Sequence, residues 1–310
     1  MVTQQKEKRF WKAKTRDNIF GLVTAILPLV VFFTLNLSVL IITFVTQFCN
    51  MDYYNLSTLQ WNNFANFKAV FTDARFGKSL LIMFWLMTSE LVTFVLALVI
   101  SVLISQKKPG SKLFQVLFFV PYICSSVAVS LMWMRMFDYE NGIINSILVR
   151  LFGERARVSW RNDPAAFTWQ LYIVNLWKAP GYGIVMFKAA LGAVDKTLYE
   201  AADIDGATKF KQFFSITLPS IAPTSFYLLF SGLIAGIMAF DVPKLFAGES
   251  WTGEAGIKDM GLTPVLYSYI RATTYNDIPT ASVISYTLFV ITVLLTITLF
   301  KVRDKMTKEA

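Results

Sequence analysis

Glu90, Lys178 and Asp241 are ionisable groups set within or at the end of long apolar runs. A charge at membrane depth costs on the order of 2.5–3.5 kcal/mol on insertion scales, so such groups face a protein interior or a wet cavity. Together with Asn175, Trp177 and Gly181 they are candidates for the lining of a polar path through the apolar runs. Carboxylates and amides exchange hydrogen bonds with polar groups, and an aromatic face stacks on apolar CH surface. The same residues allow two other readings: a Glu90–Lys178 pair that only holds helices together, and an ion relay of Glu90, Lys178 and Asp241. The rest of the inventory is poor in catalytic chemistry. Histidine is absent, which removes the commonest general base and metal ligand. Cys49 and Cys124 lie far apart with no metal-ligand spacing. Gly77-Lys78-Ser79 has the end of a phosphate-loop signature, but Thr72 stands where its first glycine belongs and an apolar run follows. No catalytic residue and no metal site is expected.

The elements that position these groups follow from composition. Of 310 residues, 55% are hydrophobic and only 16% charged, against about a quarter charged in soluble domains. A helix needs about twenty apolar residues to span a bilayer. Roughly Phe20–Thr46, Ser79–Ile104, Leu113–Phe137, Ile221–Phe240 and Ala281–Phe300 meet that length. Phe167–Leu191 is weaker, because Lys178, Pro180, Gly181 and Gly183 interrupt it. Six spans in an all-α membrane protein are therefore expected, with a basic tail over 1–18, a transmembrane domain over 19–301 whose core is 79–301, and a second tail over 302–310.

The net charge of +9 is scattered over short loops and tails, which fits a membrane surface better than nucleic acid. The short basic segments carry Lys6, Lys8, Arg9, Lys12, Lys14 and Arg16, then Lys107, Lys108 and Lys112, then Lys301, Arg303, Lys305 and Lys308. The longer intervening loops hold Lys68, Arg75, Lys78, Arg150, Arg155, Arg157, Arg161, Lys258 and Arg271. By the positive-inside rule both termini are expected in the cytoplasm, and so is the loop at about 192–223.

That loop reads as a helix–turn–helix. Leu198, Ala201, Ala202 and Asp205 fall at helical spacing, and Gly206 permits a sharp turn. Phe210, Phe213 and Phe214 repeat at three and four residues, with Lys209 and Lys211 beside them, as one apolar face of a second short helix. Pro219 and Pro223 mark entry to the next span. An aromatic face of that size needs a partner: lipid, the chain's own bundle, or another protein.

Glu200-Ala201-Ala202, then Gly206, Ile216 and Leu218-Pro219, at this spacing, match the EAA motif of binding-protein-dependent ABC importer permeases. Phe118-Phe119-Val120-Pro121-Tyr122, Trp133, Asn141-Gly142-Ile143-Ile144-Asn145, Leu176-Trp177-Lys178 with Gly181, Leu198-Tyr199 and Phe240-Asp241 extend the likeness. From Ser79 to Arg303 the chain resembles the first permease subunit of maltose and glycerol-3-phosphate type importers. Two stretches depart from that pattern. Residues 247–256 stand where relatives commonly carry a Gly-Gly-Pro run, and Ile278–Ser282 stands where a Gly-Tyr-Ala type run is usual.

The resemblance implies the type I ABC importer permease fold in a bacterial cell membrane. It implies a transport subunit that is not an enzyme, has no cofactor of its own, and leaves ATP and magnesium to a partner. The implied partners are a second permease in a heterodimer, two copies of a cytoplasmic ATPase, an extracellular solute-binding protein, membrane lipid and a sugar-class solute. Glu200, Ala201, Ala202, Asp205, Gly206, Phe210, Ile216, Leu218 and Pro219 would form the surface that engages the ATPase. The alternatives are a charged sugar derivative (a uronate or a sugar phosphate) as cargo, and a self-sufficient ion-coupled carrier.

Overall fold

A computed structural model describes residues 19–52, 54–105, 110–248 and 253–309. The basic tail before residue 19, Lys107, Lys108 and residues 249–252 of the departing stretch lie outside them. The first helix, α1 (Ile19–Thr46), is apolar on every side, and none of its most hydrophobic window is buried by the protein. Such a helix is stable only out of water, in lipid or against another protein. It meets the rest of the chain at its far end, where the Tyr286 hydroxyl donates to the Leu40 carbonyl at 2.5 Å and Thr46 shares a 3.1 Å hydrogen bond with Ser282.

After a two-residue hairpin, β1 (Cys49–Asn50) with β2 (Gln60–Trp61), come α2 (Ala65–Thr72) and the 32-residue α3 (Ala74–Ser105). α3 runs through the core. Its Ile82 and Leu86 pack with Val129, Trp133 and Phe167, and its Met83 with Ile237 and Leu288. Then follow α4 (Ser111–Ile123), α5 (Ser126–Met136) and α6 (Ile143–Phe152). The run expected as one span over Leu113–Phe137 is bent: α4 and α5 pass the length and hydropathy expected of a span together but meet at 99°. Cys124 and Ser125 both have extended backbone (ψ 142° and 136°), and Pro121 has already removed a helical donor.

Helices α7 (Pro164–Lys178) and α8 (Pro180–Ala193) replace the weak fourth run. The Asp163 side chain caps α7 by accepting from the Ala166 N–H at 2.9 Å. Ala179 keeps helical angles, so Pro180 interrupts the hydrogen bonding without turning the chain back. α9 (Lys196–Ile204) and α10 (Lys209–Gln212) form the loop, α11 (Ala222–Ile237) and α12 (Asp241–Ala247) the next candidate span, and α13 (Pro264–Thr273) precedes α14 (Ile278–Glu309). Asp241, expected to close a span, instead opens α12 after a break at Phe240. Among the described residues four helices are long and apolar enough to cross a membrane, and five if the bent α4–α5 pair counts as one.

The ends sort consistently. Ile104 at the close of α3 shares a cluster with Ile221, and Phe300 of α14 packs edge-on against Phe226 at 5.3 Å. The close of α3 and the later turns of α14 therefore lie at the same end as the α9–α10 loop. The opposite end is tied by ionic groups. Arg75 holds both carboxylate oxygens of Asp259 (2.8 and 2.9 Å) and the Gly253 carbonyl (2.7 Å). Asp73 accepts from the Tyr267 hydroxyl and, at 3.1 Å, from Arg271. Burial alone would raise the Asp73 carboxyl, but the Tyr267 hydroxyl, the Arg75 N–H and Arg271 together hold it below the usual value of 3.8. A depressed carboxylate stabilises the fold above its unfolded pKa and loses that contribution as pH falls through its folded value. Thermal stability of the purified protein is thus expected to drop as pH falls below about 3.8, and Asp73→Asn is expected to flatten that dependence. An identical pH profile in the variant counts against the latch.

Candidate functional site

The loop is built from local signals. The Asp195 side chain caps α9 through the Thr197 N–H at 3.0 Å. At its other end Ala207 N–H reaches the Ala202 carbonyl (2.9 Å) and Gly206 N–H the Asp203 carbonyl (3.2 Å). That is the Schellman pattern, and it needs the left-handed backbone that Gly206 supplies at φ +71°. Across the turn Lys209 donates to Asp203 at 2.9 Å and to Gln212 at 3.1 Å, while buried Gln212 donates to Asp203 at 2.5 Å. Lys209 and Gln212 hold the Asp203 carboxyl below its ordinary value. Spacings of six and nine residues hid this network from sequence reasoning. Asp203→Ala is expected to speed amide hydrogen exchange across Gly206–Lys209 while the protein stays inserted; unchanged exchange would show that the network does not hold the turn.

The second helix differs from expectation. α10 passes at Phe213 into a π turn (Phe213–Thr217) and a last turn (Leu218–Ser220), ahead of Pro223 in the first turn of α11. Pro219 has no N–H to continue the ladder, and a widened turn is one way to absorb that. In consequence Phe213 is half-buried, whereas Phe210 (76% exposed) and Phe214 (50%) stay out, their rings 4.8 Å apart. Ile204, 87% exposed at the end of α9, joins that apolar set. It escaped the sequence reading, although an isoleucine just before an Asp-Gly turn was the available signal. Glu200, Ala201, Asp205, Gly206 and Pro219 are exposed, while Ala202, Ile216 and Leu218 are half-buried. Tyr199 joins the two limbs through a 2.7 Å hydrogen bond to Thr217.

A cavity of about 680 Å³ lies between α3, α7, α8, α11 and α12, within the size range of small-molecule sites. Glu90, Asn175, Lys178 and Asp241 all line it. Asn175 donates through Nδ2 to Glu90 Oε1 at 2.9 Å and to Ser89 at 2.7 Å. Lys178 donates to Ser126 at 2.8 Å. No Glu90–Lys178 ion pair occurs among the described residues; the two groups have separate partners. Trp177 is not on the wall but packs edge-on against Trp133, with centroids 5.6 Å apart. Gly181 is also off the wall, at a close crossing where an added Cβ would lie 2.4 Å from the Phe118 carbonyl oxygen. The sequence reading missed three tyrosines: Tyr122 stacks on Tyr182 at 5.4 Å, and Tyr182 shares a 3.1 Å hydrogen bond with Tyr227.

A family model described as binding-protein-dependent transport system inner membrane component matches residues 93–303, well over half of the chain. The chain belongs to that family. It is 31% identical over 258 residues to the probable ABC transporter permease protein YesP of Bacillus subtilis, covering 82% of this chain and 81% of that one. It is 28% identical to the sn-glycerol-3-phosphate transport system permease protein UgpA of Salmonella typhi, covering 81% and 83%. Over a shorter stretch, 58% and 55%, it is 30% identical to the arabinooligosaccharides transport system permease protein AraP of Bacillus subtilis. In fold it matches a bacterial ABC transporter involved in import of the acidic polysaccharide alginate, with TM-score 0.79, 22% identity and coverage of 96% and 99%. A second structure of such a transporter, in complex with an alginate pentasaccharide-bound periplasmic protein, gives the same TM-score at 21% identity, covering 97% and 99%. The protein is a transport permease of the ABC importer class and has the type I permease fold.

In this permease Gly232 and Gly236 pack α11 onto α3 of the same chain. A Cβ at Gly236 would meet Met87 at 3.0 and 3.1 Å, and one at Gly232 would lie 3.5 Å from Glu90 Oε2. The small residues let two helices close around a carboxylate. Gly236→Leu is expected to cost about 1–3 kcal/mol through overpacking. Its signature is a lower melting temperature of the purified permease, and an unchanged one would place this contact elsewhere.

Proposed function

We propose that this permease forms half of the translocation path of an ATP-driven importer for a sugar or oligosaccharide. It acts with a second permease, two copies of a cytoplasmic ATPase and an extracellular solute-binding protein, in a bacterial cell membrane. Six crossings, with both termini and the α9–α10 loop in the cytoplasm, make up the topology. The bent α4–α5 pair supplies the third crossing and α7–α8 the fourth. ATP and magnesium are handled by the ATPase, and this chain contributes no cofactor. The observation that carries the reading is the loop itself: an exposed Ile204, Phe210 and Phe214 surface beside Glu200, held on a left-handed glycine turn and tied to α11. An apolar surface so exposed at the tip of a rigid element suits a protein partner, and rigid-body movement of that element would pass ATP-driven closure into the helices. The sugar class draws on the arabinooligosaccharide transport named for AraP and on a wall of carboxylates, an amide and tyrosines.

A uronate or sugar phosphate as cargo, and ion-gradient coupling through Glu90, Lys178 and Asp241, are the competing readings. Uptake of labelled saccharide by cells separates the second. ATP depletion is expected to stop uptake while an ionophore that collapses ion gradients leaves it running. The reverse pattern would support the ion-coupled carrier.

A further inference from the structure

The proposed transport reading leaves open the charge of the cargo, which the wall of the cavity constrains. Among its described residues the ionisable side chains other than tyrosine are Glu90, Asp241 and Lys178. Ionised carboxylates only accept hydrogen bonds. Glu90 Oε1 is already taken by Asn175, which leaves Oε2, on the side where α11 passes with Gly232. The Asn175 amide nitrogen is committed to Ser89 and Glu90, so that side chain turns its carbonyl oxygen, an acceptor, to other partners. Lys178, the one ammonium on the described wall, directs one of its donors to Ser126. The remaining polar lining includes the hydroxyls of Tyr182, Tyr227 and Ser231, which both donate and accept.

The wall therefore carries a formal charge of −1, from two carboxylates and one ammonium, and its acceptor-only groups are Glu90, Asp241 and the Asn175 carbonyl oxygen. Sugar hydroxyls are donors and suit it. The stacked Tyr122 and Tyr182 rings, with Phe94 and Phe240, add apolar surface for sugar CH groups. A carboxylate or phosphate on the sugar is acceptor-only and negative, and meets two carboxylates of the same sign. We propose that this cavity passes neutral, hydroxyl-rich glycans and rejects sugars bearing a carboxylate or phosphate, with Glu90 and Asp241 as the rejecting groups. The likeness to an importer of an acidic polysaccharide is one of fold, at 22% identity, and does not carry its cargo across.

The test uses the complete importer in cells, with the permease paired to its own partner subunits. Uptake of labelled maltotriose, arabinotriose and trigalacturonate is compared per amount of inserted permease. At least one neutral trisaccharide is expected to enter at a rate on the order of tenfold or more above trigalacturonate. Glu90→Gln with Asp241→Asn is expected to narrow that ratio severalfold. Asp241→Asn alone, which leaves the Glu90–Asn175 bond in place, is expected to narrow it in part and guards against a misfolded double variant. Wild-type uptake of trigalacturonate at or above the neutral rate overturns the proposal, as does a ratio unmoved in both variants. Absence of any ATP-linked saccharide uptake by the wild type counts instead against the transport reading on which the inference rests.

Discussion

Gly206→Val is expected to reduce ATP-linked uptake on the order of tenfold or more while the protein remains in the membrane at normal levels. The reason is confined to the backbone. A Cβ at Gly206 meets nothing within 4 Å, so no clash propagates into the helices. The cost comes from φ +71°, where a left-handed conformation is unfavourable by roughly 1–2 kcal/mol for most residues and worse for a β-branched one. The chain escapes by opening the Schellman turn, which moves Phe210 and Phe214 relative to Glu200 and Ile204. Asparagine adopts this conformation far more readily, so Gly206→Asn is expected to keep most of the uptake. Glu200→Lys gives the complementary test. Glu200 is exposed, so charge reversal leaves the fold alone and is expected to abolish coupling at the proposed docking surface. Equal uptake by the valine, asparagine and wild-type proteins would remove the turn from the mechanism.

Gly181→Val is expected to have the largest effect on the fold itself. At this crossing α8 passes so close to α4 that a Cβ would sit 2.4 Å from the Phe118 carbonyl oxygen and 3.1 Å from the Phe119 Cα. Both obstacles are backbone, so no side chain can swing aside and one helix must move. Overpacking costs about 1–3 kcal/mol when side chains can relax, and more when they cannot. Helices in lipid depend on such close approaches for their packing. Size-exclusion profiles of solubilised protein are expected to show Gly181→Val mostly aggregated or degraded. Gly192→Val is the control, because a Cβ there meets nothing within 4 Å. Matching profiles for the two variants would show that the crossing tolerates bulk.

The parts legible in the sequence were those set by short-range pattern. Run length located α1, α3 and α14, and the Gly206 turn followed from residue type and spacing. Direction was not legible. Hydropathy counts apolar residues without saying where they point, so α4 and α5 read as one span despite their 99° bend, with Pro121 as the local sign. At 3.6 residues per turn the spacing puts Phe213 on one face with Phe210 and Phe214, and the π turn changes that conversion. At the cavity, residue type singled out Glu90, Asn175, Lys178 and Asp241. Their partners were invisible: Asn175 and Glu90 lie 85 residues apart, and Lys178 and Ser126 lie 52 apart. The tyrosines were missed for the same reason, since stacking of Tyr122 on Tyr182 depends on how α4 meets α8.

The most direct test of the central claim asks what touches the α9–α10 loop in the membrane. A photo-crosslinking amino acid is placed in turn at Ile204, at Phe210 and, as a control, at the exposed Leu27 in the apolar α1. The expected product at the first two positions is a covalent adduct with the ATPase chain, absent at Leu27 and weakened by Glu200→Lys. Adducts at Ile204 and Phe210 with lipid alone, as at Leu27, would contradict the assignment of this loop as the coupling surface.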